Sequence, residues 1–125
     1  MIKTLEELKQ NISHLSQDEQ DKFLKFAKPF YDFYEYMYKL GKTYEEIEEE
    51  SAHLSKELLP SFLKELKSLK TTKESSLEFI TKFSGRVMKK YAESYNYENA
   101  EEVETSMNKY MELSLKYNLI KNDKQ

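Results

Sequence analysis

Apolar side chains recur every three or four positions along nearly the whole chain, the spacing of one helix face. The first stripe is Ile2, Leu5, Leu8, Ile12 and Leu15. Thr4 followed by Glu7 opens it as a capping box, in which each side chain takes a backbone N–H that the helix start leaves unpaired. A helix from Thr4 to about Leu15 is predicted. Ser16 followed by Glu19 repeats the device and opens a long helix to Leu40, with Gly41 placed to close it in a left-handed conformation. Pro29 falls inside that helix. Proline removes one backbone hydrogen bond and clashes with the preceding turn, so a kink or break is expected there.

Thr43 followed by Glu46 is a third capping box. It predicts a short helix to about Ala52 with Tyr44 and Ile47 inward. Ser55 can cap a fourth helix to about Leu69, with Leu59, Phe62, Leu63, Leu66 and Leu69 as its stripe and Pro60 one turn in. Lys70 to Ser76 reads as a loop or a lysine-rich helical extension. Leu77, Ile80, Phe83, Val87, Tyr91 and Tyr95 make the next stripe. Asn99 and Glu102 open the last helix, with Val103, Met107, Tyr110 and Met111 inward. The predicted fold is all-α: a compact bundle of five to six helices, the second kinked near Pro29. One domain is expected over residues 1–120, followed by a frayed tail over 121–125.

The segment from Phe30 to Leu40 departs from a simple one-sided pattern. At 100° per residue its apolar and aromatic side chains spread over roughly 220°, against about 100° for an ordinary surface helix. Asp32, Glu35 and Lys39 hold the remaining sliver. Such a helix is either central in the bundle or covered by a second chain. Its tyrosines, Tyr31, Tyr34, Tyr36 and Tyr38, are therefore candidate partner-binding residues, since tyrosine is enriched at interfaces.

Composition supports helix and narrows the chemistry. Two glycines and two prolines in 125 residues leave few turn residues for a β or dinucleotide-binding fold. Ten tyrosines and seven phenylalanines argue against a disordered chain. Cysteine is absent, which excludes disulfides and thiolate chemistry. No apolar run reaches the roughly 18 residues of a membrane span. Lys3, Glu6, Glu7 and Lys9 interrupt the N-terminus, unlike a signal peptide. A cytoplasmic protein without membrane contact is expected.

The net charge is −3 but unevenly spread. Residues 41–60 set two lysines against six glutamates, whereas residues 61–90 carry eight basic residues and three glutamates. Neighbouring helices of opposite charge would complement each other, and the acidic helix could also steer a partner. Glu45, Glu48 and Glu49 join the tyrosines as candidate partner-binding residues.

Catalytic constellations are missing. His14 and His53 are the only histidines, and no serine sits in a nucleophile elbow. Gly41 and Gly85 are isolated, so no phosphate-cradling loop forms. Gly85 lies within a helical stripe, where it would permit close helix packing. Glu50 and His53 have the spacing of half a dinuclear metal site, but a second copy is lacking. No catalytic residue, metal or cofactor is expected.

By elimination the expected function is non-catalytic: a protein-binding regulator, inhibitor or adaptor, with another protein or a second copy as partner. Its size and acidity would suit a phage- or plasmid-type factor acting on a host protein. The alternative is a helix-turn-helix DNA-binding regulator built from residues 43–69, with the helix after Ser55 in the major groove. Lys56, Lys64, Lys67, Lys70 and Lys73 would then contact phosphates. A pI near 5.5 and a single arginine, Arg86, count against it.

Overall fold

The computed structural model describes residues 2–66 and 73–117, with side chains over 2–65 and 78–117. Among these residues there are five helices: α1 (Leu5–Asn11), α2 (Gln17–Lys39), α3 (Tyr44–Leu66), α4 (Lys73–Ser94) and α5 (Ala100–Lys116). The all-α architecture is as the stripes predict. None of the helices described is long and apolar enough to cross a membrane. The expected tail, 121–125, lies outside the described residues.

The starts of α1, α2 and α3 follow from capping chemistry, whereas Asn99, expected to cap α5, makes no side-chain cap bond. Ser16 and Glu19 exchange both bonds of a capping box, at 3.2 and 3.0 Å. Thr43 and Glu46 do the same at 3.1 and 2.9 Å. At α1 the Thr4 hydroxyl accepts the Glu7 N–H, but the Glu7 carboxylate reaches back to the Lys3 N–H instead. α1 also stops at Asn11, short of Leu15; the chain turns through Ile12, which is itself fully buried. Gly41 ends α2 as expected, at φ +92°. The Lys42 N–H bonds the Met37 carbonyl and the Gly41 N–H the Tyr38 carbonyl, the two bonds of a Schellman motif. α4 ends by the same pair of bonds, from Tyr97 to Ala92 and from Asn96 to Glu93, with Asn96 in the left-handed position.

α2 is the centre of the molecule. Phe23, Ala27, Phe30, Tyr31, Phe33, Tyr34 and Met37 are all buried along it. α5 runs antiparallel to α2, so Phe23 meets Tyr110 and Tyr117 while Phe30 meets Tyr110. α4 lies beside both, with Phe33 edge-on to Tyr91. The α4–α5 contact is tight at Gly85, where an added Cβ would collide with the Asn108 side chain and press on the Glu104 carbonyl. The sequence reading of Gly85 as a packing glycine holds. α1 covers the other side of α2, where backbone carbonyls of Ile2 and Lys3 accept the Tyr31 and Tyr38 hydroxyls.

Two expectations need correction. Of the kink or break expected at Pro29, the break is absent: α2 is one helix from Gln17 to Lys39. Beside the proline, the Ser106 hydroxyl of α5 accepts the Phe30 N–H at 3.0 Å and donates to the Phe26 carbonyl at 2.5 Å. It bridges the two groups that an uninterrupted helix would pair directly.

The second correction concerns residues 43–69. The two helices and intervening turn expected there are the single helix α3. Ser55 does not cap; its hydroxyl bonds the Ser51 carbonyl four residues back, the alternative open to serine inside a helix. No glycine or proline interrupts Ser51 to Ser55, so nothing forces a turn. The helix-turn-helix geometry is therefore absent from the described residues, and Pro60 sits deep in α3 rather than one turn in. Lys67 and Lys70 lie outside the described residues, while Lys73 is the first residue of α4, so part of the expected loop is helical.

Candidate functional site

The four tyrosines of α2 are held within the chain. Tyr31 and Tyr34 are buried, and Tyr36 and Tyr38 half-buried. The Tyr31 hydroxyl lies 2.7 Å from that of Tyr110. Tyr34 donates to Glu48 Oε1 at 3.0 Å, Tyr36 to the Tyr95 carbonyl and Tyr38 to the Lys3 carbonyl, both at 2.8 Å. Burial pushes the Tyr31 and Tyr34 phenols well above their ordinary range. It lifts Tyr38 to about 12, with Glu7, Glu35, Glu45 and Glu48 adding repulsion. The wide aromatic arc is thus covered by α1, α3, α4 and α5 rather than presented as an outer face.

Glu45, Glu48 and Glu49 stay exposed on α3. Glu45 pairs with Lys3 at 3.3 Å, and its carboxyl is held low by a backbone hydrogen bond and by that lysine. The lysines of the nucleic-acid alternative do not form a described surface: Lys56 and Lys64 are exposed two turns apart on α3, and the side chain of Lys73 is not among those described.

α3 packs along α4 through Phe62, whose ring meets Phe79 and Phe83 at 5.2 and 4.8 Å. It reaches α2 through Tyr44 and Glu48, both against Tyr34. Between α3 and the remaining helices a cleft of about 910 Å³ stays open. Its floor is Phe30, Tyr31 and Tyr34 of α2 with Phe83, Val87 and Met88 of α4. One wall is Tyr44, Glu48, Ser51 and Ser55 of α3; the opposite wall is Met107, Tyr110, Met111 and Ser114 of α5, with Ile2 and Asn11 at its end. This is the composition of a binding pocket: apolar and aromatic surface with a few polar groups. Three methionines give it adaptable walls.

The cleft lining continues along both helices into exposed apolar side chains. Ser51, Ser55, Leu59 and Leu63 succeed one another at i, i+4 on α3, and Ile80, Ser84 and Met88 do so on α4. Residues four apart share a helix face. Leu59, Leu63 and Ile80 are 38, 42 and 47% exposed, although their stripes predict them inward. From Glu48 to Leu63 the α3 wall runs for about 22 Å at 1.5 Å per residue.

A second cluster gathers around Glu50, which stands three residues before His53. Glu50 does not face His53 as a metal ligand would; His53 pairs with Glu57 on the exposed side of α3. Glu50 instead accepts the Tyr91 and Tyr95 hydroxyls, each at 2.6 Å, and the Lys42 ammonium at 2.7 Å. Led by Lys42, these donors hold its carboxyl down to about 2. The cluster ties the first turns of α3 to the end of α4. Three donors on one carboxylate make it a structural anchor.

Comparison of the chain with protein-family models, curated proteins and solved structures found no match.

Proposed function

We propose that this is a non-catalytic binding protein, a small regulator, inhibitor or adaptor, that docks an amphipathic helix of a partner protein in the cleft between α3 and α5. What supports this reading is the cleft together with the exposed Leu59, Leu63 and Ile80, which follow its lining residues at i, i+4 along α3 and α4. A small molecule would be satisfied by the cleft alone, whereas a lane of about 22 Å matches roughly four turns of helix. Helix-in-groove recognition works this way, with apolar anchors spaced along one face. The small serines along the walls leave room for a helix backbone to come close. Glu45 and Glu48 remain part of the contact surface at one end, while Glu49 lines a separate concavity with His53 and Lys56. The tyrosines of α2 act as its floor and support, not as the outer contact.

Site-directed photocrosslinking tests the reading. A crosslinking side chain at Leu63 or Met111, introduced in cells that make the protein, should join one stoichiometric partner. The same group at Lys25, exposed on α2, should not. Equal crosslinking from all three positions would dismiss the cleft as the docking site. Crosslinks between two copies would make the partner a second copy of the chain.

A further inference from the structure

The cleft is chemically different at its two ends. Toward Leu59, Leu63 and Ile80 it is aliphatic. Toward the start of α3 it is aromatic and acidic. Tyr34 and Tyr44 stand 6.0 Å apart there, and Phe30 lies 4.7 Å from Tyr34. Glu48 is the single charged side chain among the described residues that line the cleft. The Tyr34 hydroxyl fixes one of its oxygens, and among the described residues it has no ion-pair partner. A cation already rests at this end: the Lys3 ammonium sits 5.4 Å from the centre of the Tyr44 ring while pairing with Glu45. Aromatic faces and carboxylates attract cations by the same electrostatics, more strongly where water is partly excluded. Glu48 also adds to the raised phenol pKa values of Tyr34 and Tyr44, as a negative local field requires.

Resting on the docking reading above, we infer that the partner helix is basic at one end: it places a lysine or arginine between Glu48 and the Tyr44 ring, with its apolar anchors running from there toward Leu63. The carboxylate then sets both the register and the direction of the bound helix, since only one orientation brings the cation to Glu48. An acidic helix is excluded from the same groove by Glu45 and Glu48 together.

The test uses synthetic helical peptides of about fifteen residues, the length of the lane, with a fixed leucine stripe. One end position carries lysine, glutamine or glutamate. Binding is measured on the full chain, on Glu48→Gln, on Glu48→Lys and on Glu49→Gln as an exposed control. Glutamine at 48 can still accept the Tyr34 hydroxyl, so the fold is retained, and a melting curve checks it. The lysine peptide should bind about tenfold more tightly than the glutamine peptide, as for one charge-assisted contact. That preference should vanish in Glu48→Gln, turn toward glutamate in Glu48→Lys and survive in Glu49→Gln. Equal binding of the lysine and glutamine peptides to the native chain would overturn the inference while leaving the docking reading in place. So would a lysine preference that Glu48→Gln leaves intact, since general acidity would then explain it. Failure of every peptide to bind would overturn the docking reading itself, and the inference with it.

Discussion

Ser106 bridges two backbone groups of α2. Its hydroxyl serves Phe30 and Phe26 at once, in buried surroundings, next to a proline that has already removed a donor. Ser106→Ala leaves those groups to repair the ladder themselves or to remain unpaired, which should cost about 1–3 kcal/mol. Urea unfolding measures the loss, and faster hydrogen exchange at the Phe30 amide would locate it; an unchanged midpoint would show that the helix closes unaided. Glu50 offers a second test at this scale. Its folded pKa lies near 2 and its ordinary value at 4.5, so the folded chain binds fewer protons than the unfolded one between them. The stabilisation is present above the ordinary value and lost as pH falls toward 2. Native protein should therefore lose more of its melting temperature on acidification through this window than Glu50→Gln does. Neither role could be read locally. Ser106 meets α2 from 76 residues away, and Glu50 meets tyrosines 41 and 45 positions on. The spacing of Glu50 to His53 was visible, but it carries no information about those tyrosines.

Helix starts were legible because capping boxes are local. The Ser16–Glu19 and Thr43–Glu46 pairs form as their sequence implies. Ser55 shows the limit of that logic: a serine before a new apolar stripe can cap a helix or bond back inside one. Lys56→Pro separates the two arrangements. In a helix capped by Ser55, residue 56 would be the first helical position, where proline is well tolerated. Inside continuous α3, proline should cost about 3 kcal/mol or more, read as a lower unfolding midpoint; a neutral result would restore the turn. The α4–α5 contact gives a paired prediction. Gly85→Ala should destabilise by about 1–3 kcal/mol through overpacking against Asn108. Asn108→Ala in the same chain should recover part of that loss, because it clears the obstructing atoms and removes a buried Oδ1 that has no partner among the described residues. A double-mutant cycle with no coupling would mean that the Glu104 carbonyl, not Asn108, sets the limit.

For the molecule as a whole, the width of the aromatic arc announced that α2 needed cover on several sides, and the chain supplies it. What the stripes could not announce is how far each neighbour extends that cover. Leu59, Leu63 and Ile80 lie on faces that read as inward, yet they stay exposed while Phe62 between them is buried against Phe79 and Phe83. The same arrangement makes the tyrosines titrate together. Burial raises Tyr31, Tyr34, Tyr91 and Tyr110, and brings Tyr38 and Tyr44 to about 12. A phenol with a raised folded pKa stabilises the fold fully below its ordinary value of 10 and loses that contribution as pH climbs through the folded value. Because these rings share contacts and hydroxyl bonds, ionising one leaves a charge among the others, and the core should yield as a unit. Tyrosinate absorbance should therefore rise in a steep step above pH 10, coincident with the loss of helical circular dichroism. A gradual titration centred on pH 10 with the helices intact would mean that the tyrosines are open to water, and that α2 is not the buried centre of the bundle.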